Sequence, residues 1–310
     1  MNRTFLYTRK ILAHYGYGKA LQFFAYAQLY PQAFAKWFDF VETAPLPEGA
    51  PDDFKLRLVM RAGFRFVNPA FSVPEAIEAL TNHFTILKNS FPPAALSQFM
   101  AGCQIAEVMG QSGKKYAFKV LHDISKEGAL TIALLDTEID AFAPLAILIG
   151  ILSRNRDGQP NFMVGMLRGP GLKIPNGKQR VVDATRDLKG LRPKQAVVHA
   201  ASALAQWFGA KEIIAPSTEN QIAIRNWFKG QKIHADHDSF WQEFAKDAAP
   251  DGSYHLPLPL PRRDVADVQQ KRRKDWLLRY EKIDAAAAGI KATLSGLAEQ
   301  EKDAAKVCSL

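Results

Sequence analysis

The sequence predicts a mixed α/β (α+β) protein. A mixed, mostly antiparallel sheet follows a helical N-terminal region and precedes a basic C-terminal helix. Three observations predict this. Apolar residues recur at three- and four-residue spacings over roughly the first 110 positions. Between Gly110 and Gly169 short apolar runs bounded by turn residues replace that spacing. Helical spacing returns after Lys178, and from Arg262 onward it is crowded with cations.

Leu6, Ile11, Leu12, Tyr15, Leu21, Phe24, Ala25 and Leu29 form the first helical pattern, and Pro45, Pro47, Gly49 and Pro51 end it in a loop. Residues 53–110 read as helical again, with Ser72 as the N-cap of a helix through Pro74 and His83. Pro92-Pro93 breaks that stretch, and Pro93 to Met109 reads as one more helix, so no strand is expected before Gly110. Strands are expected at Tyr116–His122, Ala129–Asp136, Leu145–Ser153 and Phe162–Gly169, the last two joined by an Asp157-Gly158 turn. Their near-continuous apolar runs imply burial on both faces. Lys178–Leu188 reads as a helix. A second starts at Pro193, carries Ala196, Val197, Ala200, Ala203, Leu204 and Trp207 on one face, and ends at Gly209. A strand follows at Lys211–Pro216, reached by a right-handed crossover. Helical pieces are expected at Asn220–Lys229 and Ser239–Lys246. A proline-rich edge strand begins at Asp251-Gly252, and Glu299–Leu310 reads as frayed. The resulting division is a helical region over 1–112, an α/β domain over 113–261 and a basic helical tail over 262–310.

Composition narrows the class without naming a reaction. Of 310 residues, 47% are apolar and 23% charged, which excludes a wholly disordered or collagen-like chain. The net charge of +9 permits an anionic partner. Cys103 and Cys308 form neither a CxxC nor a zinc quartet and read as free thiols. Arg3, Arg9, Lys10 and His14 interrupt any apolar leader, so no signal peptide is expected. The apolar run Ala141–Leu152 is shorter than the ~20 residues a membrane span needs. A cytoplasmic protein is expected, with peripheral contact to a membrane available through its basic segments.

The order of four antiparallel strands, helix, strand, helix, strand resembles the core of the GNAT acyltransferases. That resemblance implies an anion site where the fourth strand runs into Met166-Leu-Arg-Gly-Pro-Gly, because free N–H groups at a helix start bind phosphate. Arg168 is followed by Gly169 and Gly171, one position earlier than that superfamily's signature. A set of collinear motifs resembles the VirK/YbjX family of proteobacterial proteins. They are Met163-Val-Gly-Met-Leu-Arg-Gly-Pro, Gly190-Leu-Arg-Pro-Lys, Asp238-Ser-Phe-Trp-Gln-Glu-Phe, Asp251-Gly-Ser-Tyr-His-Leu-Pro and Lys271-Arg-Arg-Lys-Asp-Trp. Arg168 stands where that family usually has Gln, and Lys189 where it has His. The resemblance implies a bacterial cytosolic protein linked to virulence, antimicrobial-peptide resistance and envelope stress.

Arg168, Arg180, Arg192 and Lys194 are the candidate anion site, since guanidinium groups bind oxyanions in two-pronged fashion. Gly169, Gly171 and Gly190 would let a ligand approach the backbone. The alternative is a set of surface charges paired with Asp183, Asp187 and Glu212. His122 is the candidate general base, with Asp136 or Glu138 facing it across a hairpin, against a strand-end His held by a carbonyl. His199 reads as packed in the core. His234, His237 and Asp238 have chelate spacing, but no third distant ligand is signalled and Asp238 is a plausible N-cap. Trp241 and Tyr254 are assigned to an acceptor pocket, while Phe240 reads as packing. No nucleophile elbow, phosphate-binding P-loop or dinucleotide fingerprint is present. Residues 262–282 carry eight basic and four acidic side chains, a surface for RNA or anionic lipid or a solvated helix face.

Two functions fit. The first is a transferase moving an acyl or aminoacyl group from an anionic carrier to an amine or hydroxyl. It would hold no tight cofactor and use acyl-CoA or another acyl carrier as co-substrate. The second is a non-catalytic stress or virulence factor that binds a peptide, an RNA or a membrane surface.

Overall fold

The computed structural model describes residues 2–44, 52–139, 142–171, 173–222 and 236–307. His234, Cys308, the proline loop at 45–51 and most of the expected 220–229 helix lie outside them. Six helices open the chain: α1 (Arg3–Tyr15), α2 (Tyr17–Leu29), α3 (Pro31–Thr43), α4 (Asp52–Arg61), α5 (Val73–Ser90) and α6 (Pro93–Ala101). Ser72 caps α5 as its sequence predicts. Its hydroxyl accepts from the Glu75 N–H, and the Glu75 carboxylate accepts from the Ser72 N–H at 2.8 Å. Trp37, wholly buried on α3, donates its indole N–H to Val59 O of α4 at 3.2 Å.

The sheet has seven strands in chain order: β1 (Cys103–Met109), β2 (Lys115–His122), β3 (Leu130–Asp136), β4 (Ala146–Arg154), β5 (Pro160–Arg168), β6 (Glu212–Pro216) and β7 (Ser253–Pro257). β1 to β5 form an antiparallel meander. The chain then crosses over through α7 (Gly177–Asp187) and α8 (Pro193–Trp207), and β6 pairs with β5 in parallel. β7 closes the edge antiparallel to β6, and its one proline, Pro257, stands at its end. Almost every residue of β3 and β4 is buried, so both faces of the central sheet are covered. α5 packs on β4, α6 on β2, and α8 on β3 and β4. A short α9 (His237–Trp241) precedes β7, and α10 (Gln270–Val307) ends the described chain.

Three expectations are corrected. The helix from Pro93 stops at Ala101, because Gly102 takes φ +101° and turns the chain into β1. Ile105, Ala106 and Val108 suit a helix face as well as a strand, and pairing of β1 with β2 decides between them. Residues 299–307 are helical, because α10 continues to Val307. Ile283, Ala286, Ile290, Leu294 and Leu297 form its buried stripe, and it lies so close to β1 that a Cβ on Gly289 would sit 3.2 Å from the Ala106 side chain. The expected Ser239–Lys246 helix is only the five-residue α9, begun at His237.

Candidate functional site

The site grows from three elements. β5 ends at Arg168 and the chain passes through Gly169 and Pro170. α7 lies across this exit, with Val181, Val182 and Thr185 turned toward it. α8 begins with Arg192 as N-cap, Pro193 in its first turn and Lys194 behind it. Together with Leu145, Lys178 and Phe240 these residues line a cleft of about 460 Å³. Its walls are apolar, its rim carries Arg192, Lys194 and Lys178, and α8 begins beside it. A Cβ on Gly169 would meet no atom within 4 Å, so the cleft stays open over that residue.

The three rim cations differ. Arg192 pairs with Glu243 and lies over the Phe240 ring, 5.7 Å from its centroid. Gln195 also donates to Glu243, at 2.7 Å. The pair is roughly half exposed, and such pairs contribute about 0–1 kcal/mol, so an incoming phosphate can replace Glu243 at little cost. Lys194 is partly buried and has no acidic partner among the described residues. Burial, then the Arg192 charge, hold its pKa below the ordinary lysine value. His237 is 5% exposed, and burial followed by the Lys194 charge keeps it below the usual histidine range. Arg279 approaches from α10, stacked on Trp276 at 4.3 Å, with its Nε buried and without a hydrogen-bond partner.

The structure thus brings Gly169, Arg192 and Lys194 to one cleft and leaves other expected residues outside it. Arg168 is exposed at the end of β5, opposite Ile147, and it and Gly171 do not line the cleft. Arg180 donates to Ala143 O at 3.0 Å. Both ring nitrogens of His122 are buried, and the ring packs on Phe99 at 5.1 Å and His83 at 5.9 Å. Burial lowers its pKa to about 3, opposed by the Phe99 carbonyl. His122 does not line the cleft. Glu138 does not face it, because His122 pairs with Leu130 while Asp136 pairs with Tyr116 at the other end of the β2–β3 ladder. Glu138 and Asp136 instead share Lys114, at 2.9 and 2.7 Å.

Trp241 forms no pocket wall. It is fully buried and donates its indole N–H to Pro216 O at 3.0 Å, whereas its neighbour Phe240 faces the cleft. Tyr254 is buried too, its pKa raised by burial and then by Asp238. Asp236, not Asp238, caps α9, accepting from the Ser239 N–H at 3.0 Å. Asp238 accepts from the Thr218 N–H at 3.1 Å. Among the described residues no group of three or more His, Cys, Asp or Glu side chains is placed to hold a metal ion. Ser253 Oγ lies 3.1 Å from His255 Nε2, and His255 Nδ1 2.8 Å from Glu212. The Ser253 hydroxyl is donated to Asp251 at 2.6 Å, which ties the turn before β7 and does not present a nucleophile. The residues that sequence reasoning missed are Val181, Val182 and Thr185. Their only signal was two adjacent apolar positions on an otherwise polar helix.

A family model described as a protein of unknown function (DUF535) matches residues 16–292. The chain belongs to the DUF535 family. An uncharacterized protein of Escherichia coli, YbjX, is 31% identical over 235 residues, which cover 74% of this chain and 69% of that relative. This bears out the VirK/YbjX-type resemblance. An uncharacterized protein of Haemophilus influenzae is 21% identical over 275 residues, 87% of this chain and 88% of its own. No solved structure matches the chain. Within this DUF535 chain, no described helix is long and apolar enough to cross a membrane.

Proposed function

We propose that this chain transfers an acyl or aminoacyl group from an anionic carrier to an amine or hydroxyl acceptor. The carrier is an acyl-CoA, an acyl carrier protein or an aminoacyl-tRNA. The observation that carries the reading is an apolar cleft whose rim holds Arg192, Lys194, which has no acidic partner among the described residues, and the start of α8. The carrier's phosphate lies on the two cations and the helix N–H groups, displacing Glu243 from Arg192. The acyl part lies against Val181, Val182, Pro193 and Phe240. The acceptor's lone pair attacks the acyl carbonyl carbon and the bond to the carrier's sulfur or oxygen breaks. The acceptor's proton leaves with the carrier. The antiparallel meander followed by a crossover to parallel β6 supports a GNAT-like relation, which stays part of the proposal.

Thermal stabilisation by acetyl- and longer acyl-CoAs, acyl carrier protein and aminoacyl-tRNA tests this. Only a ligand of the native state raises the midpoint, and at a hundred times its Kd it does so by about 2.7 kcal/mol. One carrier should stabilise the protein, and Arg192→Ala and Lys194→Ala should each abolish the effect. If no carrier acts and plain RNA does, with steep loss at higher salt, the transferase reading is wrong. The second reading, a non-catalytic binder, would then hold, and the exposed Lys271, Arg272 and Lys274 at the start of α10 favour it.

A further inference from the structure

Among the described residues, twelve large apolar side chains stand out as exposed, and seven of them fall between Phe5 and Tyr30. They are not scattered. On α2 the core side is Ala20, Phe23 and Ala27, while Tyr17, Leu21 and Phe24 follow one another at four- and three-residue steps on the solvent side. Tyr17 is 73% exposed, and Leu29, at the end of α2, is 70% exposed. On α1 the core side is Tyr7 and Ile11, and Phe5 and Leu12 point outward. The two helices pack against each other on either side of Gly16, whose φ of +83° makes the sharp corner between them. Each therefore carries two apolar faces, and only one is used by the core.

Charge selects what covers the other face. The first 38 residues contain no Asp or Glu. Arg3, Arg9, Lys10 and Lys19 alternate with these apolar residues along the chain. Arg3 is neutralised by Asp39 at 2.6 Å, while Lys10 and Lys19 lie over the rings of Tyr7 and Tyr15 with no carboxylate partner among the described residues. Outward Phe, Leu and Tyr among cations is the pattern of a helix lying in the headgroup layer, the aromatic rings at the interface and the cations on lipid phosphates. We propose that α1 and α2 dock this protein on an anionic phospholipid surface, with Phe5, Leu12, Tyr17, Leu21, Phe24 and Leu29 as the inserted side chains. This surface is separate from the cationic α10 start to which the sequence assigned membrane contact, and it does not depend on the transferase reading.

Co-sedimentation of the full chain with vesicles tests it. Vesicles of phosphatidylethanolamine and phosphatidylglycerol should bind the protein, and vesicles of phosphatidylcholine should not. Leu21→Ser with Phe24→Ser should weaken binding by at least roughly tenfold, since each loses one large buried apolar contact. Arg9→Glu with Lys19→Glu should weaken it too, and rising salt should mimic that pair. Because all four side chains are partly or fully exposed, the melting temperature of both double variants should match the wild type. The proposal is overturned by equal binding to both vesicle types, or by binding that neither double variant alters. It is also overturned if the protein ignores vesicles and instead forms concentration-dependent dimers that Leu21→Ser/Phe24→Ser disperses, which assigns the face to a second copy of the chain.

Discussion

Lowering the pH from 7.5 to 5.0 should cost this protein at least about 4 kcal/mol of folding stability through two histidines. Both ring nitrogens of His122 are buried, which lowers its pKa to about 3, and His199 is lowered to about 4, by burial first and then by the Arg262 charge. In the unfolded chain both return to an ordinary value near 6.5. A group with a depressed folded pKa stabilises the protein above its unfolded pKa, and that stability is lost as pH falls below it. At pH 5 each unfolded imidazole is charged and each folded one neutral, and 1.5 pH units at 1.36 kcal/mol per unit gives roughly 2 kcal/mol for each. His83, wholly buried beside His122 and accepting the Leu152 N–H at 3.3 Å, shifts in the same direction and adds to the loss. Carboxylates add little to the comparison, Glu42 and Glu75 contributing a small loss in the same direction. Asp187, Asp251 and Asp284 are held below their ordinary value of 3.8 and stay ionised in both states at pH 5. The assay is guanidinium unfolding at both pH values for the wild type and His122→Phe, a ring that suits the neighbouring Phe99. The variant should lose about 2 kcal/mol less than the wild type on acidification. A wild-type loss under about 1 kcal/mol, or an equal loss in the variant, would refute the assignment of a buried neutral imidazole.

Two further outcomes follow from the packing and the rim. A Cβ on Gly165 would lie 1.9 Å from the Glu127 carbonyl oxygen, a backbone atom that cannot move aside, whereas one on Gly169 meets nothing within 4 Å. Gly165→Ala should therefore cost about 3 kcal/mol or more in denaturant unfolding and Gly169→Ala under about 0.5, and similar losses would show that the approach of Glu127 to β5 is not tight. Glu243→Gln frees Arg192 from an exposed ion pair worth up to about 1 kcal/mol, so titration with a phosphate-bearing carrier should show binding tighter by up to roughly fivefold. Weaker binding in that variant would mean that Glu243 positions Arg192 and does not compete for it.

The sequence alone determined the kind of each well-marked element and the family. Ser72 with Glu75, Pro193 with the apolar stripe to Trp207, and the buried runs of β3 and β4 are local patterns, and each formed the element its pattern implies. Arg192 and Lys194, which the structure places on one cleft, were legible as candidates because charged residues beside Gly and Pro at a helix start need no partner to be noticed. Tertiary structure decided the rest, for reasons that no local pattern carries. β1 is a strand because β2 offers it a ladder, and its own Ile105, Ala106 and Val108 do not distinguish strand from helix. His122 looked like a free base at a strand end, and only the packing of α5 and α6 buries it against Phe99 and His83. Phe240 and Trp241 are adjacent aromatic residues, yet one turn of α9 sends Trp241 to Pro216 and Phe240 to the cleft. The outer faces of α1 and α2 show the same limit. Their apolar spacing predicted helices correctly, but which residues the core would take depended on where α3 and α4 pack. Periodicity records that a face is apolar, and the contacts made in three dimensions determine whether that face is covered.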